Sequence, residues 1–266
     1  PKLYKALYTL DLVSNWLGNL KEAQRFLLGN LGLINGKEYL PLLLKLPHFA
    51  TTTFNPNADP ETTSVDGNVF RRTVDEVYGT IRSGAGTGAT PSIASDFISR
   101  LTCSATTDQF SNMERGIYLY DTSSLVGATG VTATKSIRGT VALDQIGSQS
   151  TALVSGVPAS NTDLVAGDYA IANFGTVHFA TDITMAAWST TGFNDYALNA
   201  NGIANINLSG ISKFGHRLVS DTDNAAPTWS TGSDTRPHGN FAEGADKPKL
   251  VVTYTPASSG LMGKVW

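Results

Sequence analysis

The feature that most constrains this chain is a two-residue alternation of apolar and polar side chains that recurs in short runs along its C-terminal three quarters. Phe97, Ser99, Leu101 and Cys103 alternate with Ile98, Arg100 and Thr102, and Ile137, Gly139, Val141 and Leu143 alternate with Arg138, Thr140 and Ala142. Successive side chains of a strand point to opposite faces, so such runs read as strands with one face inward. Similar runs stand at GIYLYD, FGHRLVS and KLVVTY, with clusters of Gly, Asn, Asp, Ser and Thr between them. This is the pattern of an antiparallel sandwich. The expectation is a mainly β chain in which residues 65–256 form one sandwich. Its core would hold Phe97, Leu101, Ile117, Leu119, Val141, Phe214, Leu218, Leu250 and Val252. The small-residue stretches GATGVTATKS and GSQSTALVSGVPASNTD read as loops, TIRS as a β-rich segment, and NANGIANIN as a helical turn capped by Asn199 or Asn201.

The first 47 residues follow another rule. Leu3, Leu7, Leu10, Val13 and Leu17 form one helical stripe, and Tyr4, Tyr8, Leu12 and Trp16 form a second. A second helix begins near Asn19, carries Phe26 and Leu27, and ends at Gly29 or Gly32. Two short helices with apolar side chains around most of their circumference need a partner, either the β-domain of their own chain or another subunit. Residues 1–47 are therefore expected to anchor the protein, with Leu3, Leu7, Leu10, Trp16, Leu17, Phe26 and Leu27 as an assembly interface. Closed cyclic assembly is the usual outcome for copies of one chain, and a trimer suits a projecting appendage. Residues 48–64, HFATTTFNPNADPETTS within their proline- and threonine-rich run, read as a linker, and residues 257–266 as a tail.

Composition narrows the function classes. The 266-residue chain has a net charge of −3 and no block of Lys or Arg, which disfavours nucleic-acid binding. Asp11, Ser14, Asn15, Asn19, Lys21 and Glu22 interrupt the leucine-rich start, so it reads neither as a secretory signal nor as a membrane-inserting span. The single cysteine, Cys103, falls on the apolar side of its strand and reads as a small buried hydrophobe. SGAGTGA lacks the strand, helix and Lys-Ser/Thr context of a phosphate loop. His48, His178, His216 and His238 show no metal-ligand spacing, and Asp75, Glu76, Glu114 and Asp121 form no carboxylate pair that spacing can identify. No catalytic residue and no required cofactor is expected. Two weaker possibilities stand. Asp221, Asp223 and Asn224 in DTDNAAP place hard oxygen ligands together and could hold calcium, although the run is no EF-hand loop. Trp229, with Asp234 at the end of the polar run AAPTWSTGSD, could stack on and hydrogen-bond a sugar.

Three segments, in order, carry a resemblance: ERGIYLYDTSSL, then ISKFGHRLVSD after an Asn-rich turn, then ADKPKLVVTYTP. Together they are similar to the DNRLRE-type β-sandwich modules, jelly-roll relatives of carbohydrate-binding modules. The longer stretches VFRRTVDEVYGTIRSGAGTG and MAAWSTTGFNDYALNANGIANI resemble proteins encoded by tailed bacteriophages. The resemblance spans roughly residues 65–256. It implies a jelly-roll-like sandwich, no catalytic residues, and a structural protein of the virion surface: a capsid decoration, head-fibre or tail-appendage subunit that contacts sister subunits and other virion proteins. The alternative it leaves open is an extracellular or cell-surface module that binds a host glycan. One departure concerns VTATKSIRGTVAL, where Lys135 and Arg138 stand in a strand that such modules keep apolar.

Overall fold

The computed structural model describes residues 49–257, and this region is mainly β. Residues 1–47, expected to form the anchor through Leu3, Leu7, Leu10, Trp16, Leu17, Phe26 and Leu27, and the tail beyond residue 257 lie outside the described residues. In chain order the elements are β1 (Ala50–Phe54), β2 (Asp66–Arg71), β3 (Glu76–Val77), α1 (Tyr78–Ser83), β4 (Gly88–Thr90), β5 (Ser95–Phe97), β6 (Ser99–Cys103), β7 (Gln109–Asp121) and β8 (Thr129–Asp144). They continue as β9 (Ser150–Val154), β10 (Ile183–Thr184), β11 (Phe193–Ala197), α2 (Ala200–Ala204), β12 (Ile211–Leu218), α3 (Val219–Thr222), β13 (Asp234–Asn240) and β14 (Lys249–Thr255). The strands join in the order β1-β14-β8-β13-β6-β7-β12-β9-β10, with β11 added at β8, β2 and β3 at β7, β4 at β2 and β5 at β13. The strand pairings are antiparallel.

Strand β8 is the hinge of this arrangement. Its first part pairs with β14 (Leu250 opposite Lys135) and with β11 (Tyr196 opposite Lys135), and its last part, from Gly139, pairs with β13. Strands that pass from one layer to another make the corners of sandwiches. At the corner a β-carbon on Gly139 would lie 1.9 Å from the Ser189 carbonyl oxygen, so only glycine fits. The stretch GATGVTATKS, read as a loop, is therefore largely strand. Its small and β-branched residues find partners in β14 and β11 that the local sequence does not reveal.

Two clusters form the interior. The first joins Tyr118, Tyr120 and Phe214 of β7 and β12 to Ile137, Tyr196, Leu250 and Val252 of β8, β11 and β14. The second lies on the other face of β2, β6 and β7. There Val69, Leu101, Met113, Ile117 and Leu119 are covered by Tyr78 and Ile81 of α1 and by Leu164, Tyr169, Phe174 and Met185. Each large side chain buried in this way contributes about 1.5–3 kcal/mol. Leu101, Ile117, Leu119, Phe214, Leu218, Leu250 and Val252 are buried as the alternation implies, and Cys103 is a free, buried thiol. Val141 is 40% exposed and Phe97 only half-buried, because both lie on the outward face beyond the corner.

Local corrections have local causes. The segment read as a linker contains β1, whose Thr51 and Thr52 hydroxyls meet Thr253 and the Tyr254 hydroxyl of β14. TIRS is the end of helix α1, not a strand, and turns Ile81 into the second cluster. Asn199 caps α2 by accepting from the Asn201 and Gly202 amides. Of the two charged residues in the middle of β8, Lys135 is fully buried and Arg138 faces Asp246 at 3.1 Å. Among the described residues no helix is long and apolar enough to cross a membrane.

Candidate functional site

Five strands, β2, β5, β6, β7 and β13, contribute to a patch on the face opposite the second cluster. Register makes the patch: Arg100 stands opposite Glu114, Phe70 opposite Glu114, Thr102 opposite Asp234, and Phe97 opposite His238. Alternate residues of the same strands, Val69, Leu101 and Met113, point the other way into the core. Three arginines then interlock with three carboxylates. Arg72 grips both oxygens of the fully buried Glu114 and reaches Asp96. Arg100 donates to Asp234 through Nε (3.2 Å) and Nη2 (3.0 Å) and to Glu114 through Nη1 (3.4 Å). Arg236 donates to Asp234 at 2.8 Å, and the Thr102 hydroxyl adds a fourth donor to that carboxylate.

Phe97 sits at the centre of the patch. The guanidinium carbons of Arg100, Arg236 and Arg72 lie 4.4, 5.2 and 5.7 Å from its ring centroid, and the His238 ring meets it edge-on at 4.1 Å. Arg72 also covers Phe70 at 3.8 Å. Burial raises the Glu114 carboxyl, and Arg72 and Arg100 only partly offset this. Burial lowers His238, against the pull of Asp96 and with the help of Arg236 and Arg100. With His238 neutral the positive and negative charges of the patch balance. What remains accessible is a fixed array of half-buried guanidinium donors and carboxylate acceptors, already ordered by their mutual bonds.

Of the site residues expected from sequence, Asp234 belongs to this face, together with Glu114 and His238, which spacing alone did not mark as a site. Trp229 is half-buried against the second cluster, and its indole N–H has no acceptor among the described residues, so the structure does not bring Trp229 and Asp234 together as one sugar platform. The three oxygen donors of DTDNAAP also part company. Asp221 turns inward, where Arg115 Nε and Nη2 (2.8 and 3.0 Å) and Arg217 Nε and Nη2 (2.8 and 2.9 Å) take both carboxylate oxygens; Arg82 lies 3.2 Å away. Asp223 stays at the surface, 3.5 Å from His178, and Asn224 closes the turn after α3 with φ +53°. Asp221 is thus an ion-pair residue rather than a calcium ligand: a carboxylate enclosed by three guanidiniums repels a cation. Among the described residues no group of three His, Cys, Asp or Glu side chains could hold a metal. Burial would raise Asp221, but Arg115 and Arg217 outweigh it and hold the carboxyl well below the ordinary aspartate value.

Arg115 and Arg217 each bind further backbone oxygens, those of Tyr169 and Arg82 for the first and of Gly175 and Asp221 for the second. The cluster thereby ties α1, β7, β12, α3 and two loops to one point. Sequence reasoning missed it, although both arginines stand in the segments that carry the resemblance. The signal was the Arg before the aromatic run in ERGIYLYD, mid-strand in β7, and Arg-x-x-x-Asp in FGHRLVSD, two arginines in otherwise buried strands. Glu76 and Glu114, two of the four carboxylates considered from sequence, are each bound to arginines: Arg71 for the first, Arg72 and Arg100 for the second. No protein-family model and no curated protein matches the chain.

Proposed function

We propose that this chain is a non-catalytic display module: a jelly-roll-type sandwich of the DNRLRE kind, carried on a virion surface as a decoration, head-fibre or tail-appendage subunit and anchored through residues 1–47. One observation carries this reading. Arg115 of one segment that carries the resemblance and Arg217 and Asp221 of another meet in a single buried ion cluster. Side chains enclosed in such a cluster hold the framework together, which supports a structural rather than a catalytic role for these three. The test is assembly. The intact chain should run as a homo-oligomer, a trimer by this reading, and should join particles, whereas the chain lacking residues 1–47 should run as a monomer and remain in solution. A monomeric intact chain that stays off particles would overturn it.

A second reading is favoured by the Phe97 face. Balanced Arg–carboxylate pairs offer adjacent donors and acceptors without net charge, which suits the neighbouring hydroxyls of a neutral host glycan better than an anion. Arg100→Ala removes a donor to both Asp234 and Glu114. On an array of neutral oligosaccharides the parent chain should retain ligands that this variant loses; equal binding by both proteins would exclude the face.

A further inference from the structure

Lys135 and His216 come from different layers of the sandwich. Lys135 belongs to the first half of β8, between β14 and β11, and His216 to β12, between β7 and β9. Both are fully buried in the first cluster's space, with Lys135 Nζ 2.7 Å from His216 Nε2. The amine also stands 3.7 Å from the centroid of the Tyr118 ring, and the imidazole meets Tyr118 and Tyr196 edge-on at 5.4 and 5.0 Å. At 2.7 Å between two nitrogens one must donate and the other must accept. The axis has room for one proton, so a further proton on His216 places an uncompensated charge inside the core when the amine is neutral and two like charges in contact when it is charged.

We propose that the Lys135–His216 contact is an acid-released lock between the two layers, closed while the pair holds one proton on its axis and opened when His216 takes up another. Few of the charged and titratable groups around it can offset that added charge. Tyr118 and Tyr120 of β7 and Tyr196 of β11 present phenols that burial keeps protonated. Asp66 of β2 is the one carboxyl that acts on Lys135, and it is itself buried, bonded to the Ala242 amide at 3.0 Å and near Glu243 and Glu61. Burial lowers the Lys135 amine well below its usual value against the pull of Asp66, and burial together with Lys135 lowers His216 well below its own.

The sign follows from linkage. A histidine depressed in the folded state binds fewer protons there than in the unfolded chain. Its neutral form therefore supports folding above the unfolded value of about 6.5, and that support is lost as pH falls below it. One such proton changes the folding equilibrium about tenfold per pH unit. Asp66, raised by burial, works in the opposite direction, and His238, lowered by burial, works in the same one. Both cancel when two proteins differing only at residue 216 are compared.

The experiment is urea unfolding of the full chain and of His216→Gln, whose amide can still accept from Lys135, at intervals between pH 8 and 4.5. The ratio of the two folding constants, parent over variant, should be flat above pH 7 and fall about tenfold per pH unit below about 6.5. A ratio that does not change with pH overturns the proposal. Should the variant fail to fold, the imidazole resonances of the parent decide. A His216 ring that stays neutral down to the pH at which β11 and β14 amides lose protection supports the lock. A ring that titrates near 6.5 while those amides stay protected overturns it.

Discussion

Asp221 shows how much one residue can hold at the residue scale. It is nearly inaccessible and neutralises two arginines that are fully so. Removing one partner of a buried ion cluster leaves the others charged and unpaired, which costs more than the pair itself contributes. Asp221→Ala should therefore lower unfolding stability by about 3–5 kcal/mol, read from the shift of the urea midpoint at constant slope. The carboxyl is held below its ordinary value, so its contribution is complete above about pH 4 and is lost as pH falls further, through the folded-state value. The parent should lose stability over that acid range and Asp221→Asn should lose less; equal acid slopes for the two proteins would refute the assignment. The sequence made Asp221 visible as an acid among turn residues but hid its partners. Arg115 lies 106 positions away, and nothing local to DTDNAAP announces a buried guanidinium.

Elements were legible where one face is dry and the other wet. β6 alternates buried and half-buried residues without exception, and its period-two pattern is visible in the letters. β7 is buried on both faces from Met113 to Tyr120, so its run GIYLYD, grouped with the alternating ones, has no wet face, and its aromatic and β-branched content is what marks it as a strand. β8 failed for a third reason: its first half is built of Gly, Thr, Ala and Ser, which read as loop until β14 and β11 supply their hydrogen bonds. The Phe97 face is illegible because it exists only through the register of five strands; of the partners of Asp234, Arg236 stands two residues along the same strand, but Arg100 is brought by pairing. The corner of β8 gives the element-scale prediction. Gly139→Ala would drive a methyl into the Ser189 carbonyl and the side chains of Asn194 and Trp188, all closer than 3 Å to the added carbon. Overpacking of this kind costs about 1–3 kcal/mol. The same change at Gly147, where nothing lies within 4 Å but φ is positive, isolates the backbone part of the effect. Thermal melts should rank Gly139→Ala below Gly147→Ala; the reverse order would mean that the corner is not tightly filled.

At the scale of the whole molecule the question is what residues 1–47 are for. Both described core clusters are assembled from residues between Phe54 and Val252, and the first strand begins at Ala50. A cut after residue 47 therefore spares every strand and every cluster member among the described residues. If the two apolar stripes of the leading segment serve assembly, the remaining chain should keep the cooperative unfolding of the parent β-domain while its mass falls to that of a single copy. Sedimentation of both proteins, with urea unfolding followed by tryptophan emission, measures both at once; Trp188 and Trp229 report on the clusters, and the cut removes Trp16 from the signal. A truncated chain that unfolds at much lower urea, beside an intact chain that sediments as a monomer, would mean that the leading segment completes the domain's own core and anchors nothing. A folded monomer derived from a stable oligomer would place the work of association in those 47 residues, and leave the sandwich free to present the Phe97 face.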